Sequence, residues 1–241
     1  MRQKIETSPI FAPMLEKLFS LFFPRLCAAC GKSLIPVEEL LCLDCISDLP
    51  RSGYWLREEN AVTRLFGAFP EAKIEHASSY LYYTKESPYH QLLIRLKYKG
   101  ATQIGFELGR WFGNELKNAP LYQSVEAIIP VPLHPKKERK RGYNQSELFA
   151  IGIAAVTGWS LETGVLVRTR HTPTQTRLNR EERQKNVAAA FTLAQKERIT
   201  GKHILLVDDV LTTGATLQTC VKELLKVPEC KVSVATIAYI E

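Results

Sequence analysis

The sequence predicts an α/β protein in which a parallel sheet carries helices on both faces, with a small four-cysteine module ahead of it. Three observations predict this. Short apolar runs alternate with stretches of helical periodicity from residue 77 to the end of the chain. One of those runs, 204–207, leads into two adjacent aspartates followed by hydroxyls and a glycine. Four of the six cysteines form two Cys-x-x-Cys pairs near the start.

A chain of 241 residues suits one domain of ordinary size plus an appendage. Its 45% hydrophobic and 24% charged residues are those of a soluble globular protein. The net charge of +7 suits an anionic partner, a polyphosphate or a nucleic acid, and carries no information about fold. The apolar stretch 10–23 is too short to span a bilayer, contains Glu16 and Lys17, and lacks a cleavage site. The expectation for 1–24 is an amphipathic helix packing Met14, Leu15, Leu18, Phe19 and Phe22 onto the body. A membrane-surface helix is the competing reading. The expected location is the cytoplasm.

The module over 25–50 contains Cys27-Ala-Ala-Cys30, eleven intervening residues, and Cys42-Leu-Asp-Cys45. Two residues between cysteines let both sulfurs of a pair turn onto one metal, and two such knuckles complete a tetrahedron. Gly31 follows the first pair, where a tight turn needs a left-handed residue. Disulfides or reduced core cysteines are the alternative, and zinc is preferred in a chain without export signals. Four protein ligands leave no open position, so such a zinc is structural, and a segment this small depends on it to fold. Cys220 and Cys230 sit apart in apolar, periodic segments where a buried thiol is ordinary.

Residues 51–75, with Gly53, Gly67 and Pro70, read as a connector, and 76–241 as the main domain. There, 77–83 is a strand, and 87–98 is a helix with Leu92, Leu93 and Leu96 on one face and Gly100 as its stop. Another helix covers 104–116, and 125–131 is a strand. The helix over 144–156 opens with Asn144 and Glu147 at capping-box spacing and aligns Leu148, Ile151 and Ala155. Strands follow at 165–168 and 204–207. A helix over 216–225 aligns Leu217, Cys220, Val221, Leu224 and Leu225, and a last strand covers 232–239.

The segment around the aspartates carries the chemistry. A buried parallel strand ending at Asp208 and Asp209 delivers them to the carboxyl edge of the sheet, where open α/β folds bind ligands. Thr212, Thr213 and Thr216 can donate to a phosphate, Gly214 lets backbone amides approach it, and the helix start adds a favourable dipole. Carboxylates beside an anion nest fit a ligand with hydroxyls at one end and phosphate at the other, which describes a sugar phosphate. The Gly-Lys-Ser/Thr ending of a Walker loop is absent. An ordinary strand–turn–helix with Asp209 or Thr213 as a cap is the competing reading.

Two basic segments follow other strands. Leu133 and His134 lead into Lys136, Lys137, Arg139, Lys140 and Arg141, expected as a loop that neutralises pyrophosphate or a nucleic-acid backbone; a merely solvated loop is the alternative. The second, 168–187, is long, lacks apolar periodicity and holds Arg170, Arg177, Arg180 and Arg183.

The string Val207-Asp-Asp-Val-Leu-Thr-Thr-Gly-Ala-Thr216 resembles the phosphoribosyl pyrophosphate (PRPP) signature of type I phosphoribosyltransferases. The resemblance implies that Asp208 and Asp209 meet the ribose hydroxyls and that Thr212, Thr213, Gly214, Ala215 and Thr216 hold the 5′-phosphate. It also implies a flexible lid carrying Arg177, Arg180 and Arg183, and magnesium bound with PRPP. Pro130-Val-Pro-Leu-His-Pro, Arg141-Gly-Tyr-Asn-Gln-Ser, Thr172-Pro-Thr-Gln-Thr-Arg-Leu, Arg183-Gln-Lys-Asn-Val-Ala-Ala-Ala-Phe191 and Leu93-Ile-Arg-Leu-Lys-Tyr-Lys-Gly100 narrow the match. With the cysteine pairs they are similar to the ComF family of ComFC/GntX-type competence proteins, over about residues 25–240. That family implies a role in natural transformation and single-stranded DNA uptake, beside a helicase-like competence protein. Phosphoribosyl transfer is the implied reaction, with an acceptor the sequence does not specify and no evident general base. The alternative is a non-catalytic module that binds a nucleotide or single-stranded DNA, with Tyr143 beside Arg141 as a stacking ring.

Overall fold

The computed structural model describes residues 24–84, 86–169 and 190–240. Residues 1–23 of the helix expected over 1–24, and the expected lid arginines Arg177, Arg180 and Arg183, lie outside the described residues. The chain divides into two compact units, Met1–Asp48 and Leu49–Glu241. In the first, an isolated antiparallel bridge pairs Leu26 with Ser33, and helix α1 covers Leu43–Ser47. Gly31 turns the chain between the two sides of that bridge at φ 79°, a conformation that costs glycine nothing.

The second unit begins with residues expected to form a connector, and they are folded. A 3-10 turn at Tyr54–Leu56, helix α2 at Ala61–Gly67 and a 3-10 turn at Pro70–Ala72 bury Trp55, Val62, Phe66 and Ala72. Asn60 makes this possible. Its Oδ1 accepts from the Val62 and Thr63 amides at 2.8 and 3.0 Å, while its Nδ2 donates to the Ala77 carbonyl at 2.8 Å. One buried side chain thus caps α2 and ties it to strand β1, Ala77–Tyr83.

Next come α3 (His90–Tyr98), α4 (Thr102–Asn118), β2 (Ala127–Pro130), α5 (Pro135–Arg141), α6 (Gln145–Thr157) and β3 (Ser160–Leu161). The chain continues through β4 (Leu166–Arg168), β5 (Phe191–Leu193), β6 (His203–Leu211), α7 (Ala215–Leu224) and β7 (Lys231–Ile240). Five strands form one sheet in the order β1-β7-β6-β2-β3, with every pairing parallel. The central strands are buried on both faces, which accounts for their largely apolar sequences. Val62, Phe66, Ile204, Leu206, Leu217, Val221 and Val234 belong to one core cluster. Elsewhere Tyr80, Phe112 and Phe149 stack in succession, with centroids 5.2 and 6.0 Å apart.

Four expectations need correction. The strand at 165–168 does not join the parallel sheet: β4 pairs antiparallel with β5, and the two-residue β3 takes the place beside β2. The basic stretch after β2 is the helix α5 and not a loop. His134 caps it by accepting the Lys136 amide at Nδ1, Pro135 supplies a preset first turn, and Gly142 at φ 88° ends it. The anticipated apolar face of α6 is also wrong. Ile151 and Ala155 are exposed and Leu148 half-buried, whereas Phe149, Ala150, Gly152 and Ile153 are buried.

The reason is a glycine seam. Helices α4 and α6 approach so closely at Gly109, Gly113 and Gly152 that a Cβ at Gly152 would lie 2.1 Å from the Phe106 carbonyl oxygen. Glycine counts as neither apolar nor polar in a periodicity reading, so the true contact face was invisible. Finally, Asn144 and Glu147 do not form the reciprocal capping box. Asn144 accepts the Ser146 amide at 3.2 Å and donates to the Val131 carbonyl at 3.0 Å, tying the start of α6 to the end of β2.

Candidate functional site

The acidic pair does not stand where strand β6 stops. β6 continues to Leu211, and Asp208 pairs in register with Thr236 of β7. What stops is the neighbour on the other side. β2 ends at Pro130, opposite Val207, and the last bond across that seam runs from the Val131 amide to the Val207 carbonyl at 2.8 Å. Two prolines, Pro130 and Pro132, then deprive the chain of ladder donors. β2 withdraws and leaves one side of the acidic pair open at the carboxyl edge.

Successive side chains of a strand point to opposite faces, so the two carboxylates find different partners. Asp208 Oδ1 accepts from Ser146 Oγ, in the first turn of α6, and from the Asp209 amide, each at 2.8 Å. Burial, then the adjacent Asp209 charge, push the Asp208 carboxyl up to about 7 despite those two donors. Asp209 Oδ2 lies 3.1 Å from Lys97 Nζ, in the last turn of α3. Lys97 is a site residue that sequence reasoning missed. It lies within a motif noted only for its resemblance, and helical periodicity marked α3 by its leucines alone.

Beyond Leu211, Thr212 and Thr213 are exposed and Gly214 is buried at φ 75°, in the left-handed region. Gly214 is the N-cap residue of α7 and no side chain caps that helix; the Gln218 amide returns to the Gly214 carbonyl at 2.9 Å. The anticipated cap by Asp209 or Thr213 is therefore absent. The amides of the first turn, including those of Ala215 and Thr216, precede the first intrahelical donor and point past the loop. Thr216 and Ala215 are half-buried there.

The basic segment divides in two. Lys136, Arg139 and Lys140 are exposed, whereas Leu133, Lys137 and Arg141 are half-buried and His134 is buried in its capping role. Burial, then the neighbouring Arg168 and Arg141 charges, lower the Lys137 ammonium from its ordinary value. Three cations thus converge close enough to repel one another, an arrangement that an anion would relieve. The Arg141 guanidinium also lies 5.6 Å from the centre of the Tyr98 ring and donates to Gln145 Oε1. Tyr143, expected as a stacking ring, is half-buried and donates its hydroxyl to the Leu96 carbonyl at 2.5 Å. Helix α3 is thereby joined to the α5–α6 segment above the carboxyl edge.

Buried donors without a protein partner gather on the same elements. Among the described residues they include the Tyr83 hydroxyl at the end of β1 and the Gln145 amide nitrogen at the start of α6. Buried polar atoms are almost always paired, so such orphans mark places where a ligand or water completes the structure.

In the amino-terminal unit, Cys27, Cys30, Cys42 and Cys45 place their sulfurs within 4.8 Å of one another. None of the chain's described cysteines is disulfide-bonded. The Cys30 and Cys42 sulfurs are 3.7 Å apart. A tetrahedral ion with metal–sulfur bonds of about 2.3 Å needs a sulfur–sulfur edge of about 3.8 Å. The donor set therefore fits a tetrathiolate ion. The Cys42 amide points at the Cys27 sulfur at 3.4 Å. Burial raises Cys27, but amides of Cys30, Cys42 and Ala29 outweigh it and bring the thiol down to about 6, favouring thiolate. Burial pushes Cys45 upward.

Residues 148–240 match the phosphoribosyl transferase domain family. The chain is 34% identical to competence protein F of Haemophilus influenzae over 143 residues, 58% of this chain and 62% of that protein. It is 31% identical to the DNA utilization protein YhgH of Salmonella typhimurium over 142 residues, again 58% and 62%. Against competence protein ComFC of Bacillus subtilis the identity is 28% over 151 residues, 60% of this chain and 56% of that one. The matches thus span less than two thirds of each of these curated relatives. Among solved structures, the glutamine PRPP amidotransferase from B. subtilis overlays 55% of this chain on 26% of its own, at 22% identity and a TM-score of 0.38. In its amino-terminal cysteine cluster and its sequence the chain is similar to the competence protein F, YhgH and ComFC proteins, and its residues 148–240 match the phosphoribosyl transferase domain family.

Proposed function

We propose that this protein binds PRPP at the carboxyl edge of its sheet and transfers the phosphoribosyl group to an acceptor in the handling of DNA. The observation that carries the reading is the juxtaposition of the half-buried Asp208 and Asp209, left open on one side by the withdrawal of β2, with the uncapped start of α7. Asp208 and Asp209 take the ribose hydroxyls, and Thr212, Thr213, Gly214, Ala215 and Thr216 take the 5′-phosphate. The converging Lys137, Arg141 and Arg168, with Lys136 and Arg139 on the same helix, offer the positive field for the diphosphate. Magnesium, held mainly by the ligand's own oxygens with Asp208 or Asp209 beside it, would neutralise that diphosphate.

In the transfer, the bond from the anomeric carbon to the pyrophosphate oxygen breaks and one to the acceptor nucleophile forms. Positive charge develops on the ribose and negative charge on the leaving group. The carboxylates stabilise the first, and the α5 cations stabilise the second. Lys97 leaves Asp209 when the ribose hydroxyls arrive.

Calorimetry with PRPP and magnesium tests the site. Heat from the wild type and none from Asp208→Asn/Asp209→Asn supports it, and absence of heat from the wild type rejects it. Pyrophosphate release across a panel of bases then tests turnover. The names of the relatives, competence and DNA utilization proteins, support the link to DNA handling; a cytoplasmic location and a helicase-like partner are further parts of the proposal.

The four-cysteine unit, we propose, holds one structural zinc. All four positions go to protein sulfurs, so the ion folds the module and has no opening for substrate. Removing the metal with a chelator should unfold residues 25–50 and leave the heat of PRPP binding within about twofold.

A further inference from the structure

Tyr98 is 75% exposed, the most exposed aromatic residue among the described residues. Nothing in the fold requires an aromatic there, because the buried face of α3 is Leu92, Leu93 and Leu96. Yet the ring is not loose. Arg141 lies over it at 5.6 Å, and the backbone beneath it is fixed from two sides, by Tyr143 on the Leu96 carbonyl and by Lys97 on Asp209. An exposed ring held beside a guanidinium, one residue from the lysine that reaches the acidic pair, is built to receive something flat. The surroundings narrow its chemistry. Lys99 is exposed next to the ring, and Lys140 and Arg139 extend from the helix that supplies Arg141. A planar group flanked by phosphates suits this surface, while an apolar partner would have to desolvate the cations.

We infer that Tyr98, with Arg141, is the base-stacking platform of this protein: a nucleobase lies on the tyrosine ring while the cations of α5 and Lys99 take its phosphates. The inference rests on the PRPP reading only in assigning the base to the acceptor side of the same edge; the stacking itself does not depend on it. The base has two possible sources, a single strand or a free nucleotide. The platform is open and not a closed pocket that grips a base by its edges, a form suited to sequence-tolerant stacking of a strand.

The test uses the full chain with fluorescein-labelled (dT)12, an abasic oligomer of the same length, and dTMP as competitor. Base–aromatic stacking predicts that Tyr98→Ala weakens (dT)12 binding about tenfold, with Tyr98→Phe within about twofold of wild type. The abasic oligomer, which presents phosphates alone, should bind wild type and Tyr98→Ala equally. In Tyr98→Trp, (dT)12 should quench emission that the wild type, with its own three tryptophans, does not lose. Competition by dTMP at similar concentration of bases identifies a free nucleotide as the source, and failure to compete identifies the strand; both keep the platform. Equal (dT)12 binding by wild type and Tyr98→Ala, an equal loss with the abasic oligomer, or no binding of either probe by the wild type would overturn it. PRPP calorimetry on Tyr98→Ala separates the two claims, because its heat should match that of wild type whichever way the oligomer result falls.

Discussion

The two ends of strand β6 are built from the same kinds of group to opposite purposes. At its amino end, His203 is buried and fully engaged. Its Nδ1 lies 2.8 Å from Ser124 Oγ, its Nε2 2.9 Å from Ser233 Oγ, and its amide donates to Glu126 Oε2 at 3.1 Å. Ser233 in turn accepts the His76 amide at 3.2 Å. Either tautomer leaves each ring nitrogen with a hydroxyl partner. At the carboxyl end two acids stand side by side and one of them is pushed up to about 7. Three cations converge beside them, and buried donors on Tyr83 and Gln145 go unpaired. A polar network that closes on itself stabilises a fold. One left open stores an unmet demand, and a ligand is what meets it.

The largest expected effect breaks the scaffold under the open end. Gly152→Ala forces a methyl against the Phe106 carbonyl, which neither helix backbone can yield cheaply. A loss of about 3 kcal/mol in urea unfolding is expected, with weaker PRPP binding as α6 carries Ser146 away from Asp208. A change under about 0.5 kcal/mol would show the seam to be loose.

The next prediction addresses the closed end. His203→Ala strands the hydroxyls of Ser124 and Ser233 and should cost about 2 kcal/mol, with PRPP binding unchanged. Loss of binding would mean that the two ends of β6 are coupled, contrary to the comparison.

A smaller effect of opposite sign belongs to the open end. Asp208→Asn removes a carboxylate held in an unfavourable place and should stabilise the ligand-free protein by about 1 kcal/mol at pH 8. The pH dependence sharpens this. Asp208 binds its proton more tightly folded than unfolded, so its contribution to stability is present at acid pH and is lost as pH rises from the ordinary carboxyl range toward about 7. Burial lowers the pKa of His203, so its contribution is present above pH 6.5 and is lost as pH falls through its folded value. Thermal unfolding of Asp208→Asn should therefore lose the decline between pH 5 and 7 that the wild type shows, and retain the acid-side loss.

The sequence announced most of this architecture. Strands β2 and β6 carry continuous apolar runs and β1 and β7 largely apolar ones, and Gly214 after two threonines marks a turn that only a left-handed residue makes easily. The parts that stayed hidden are those that depend on two segments at once. The ion pair of Lys97 with Asp209 joins residues far apart in sequence, and no local pattern encodes it. The withdrawal of β2, and not the end of β6, opens the acidic pair. The basic run became a helix because a histidine caps it and a glycine ends it, details outweighed in a reading by charge. Glycine packing between α4 and α6 reversed the expected face of that helix.

The central claim is that the open end of β6 is a PRPP site. Its most direct test is titration of the ligand-free protein with PRPP and magnesium, in parallel with Asp208→Asn/Asp209→Asn and a stability measurement on both. The account predicts heat and a rise in Tm for the wild type, and for the double variant neither heat nor rise, from a starting Tm at least as high. A wild type that gives no heat, or a double variant that binds as well as the wild type, would contradict it.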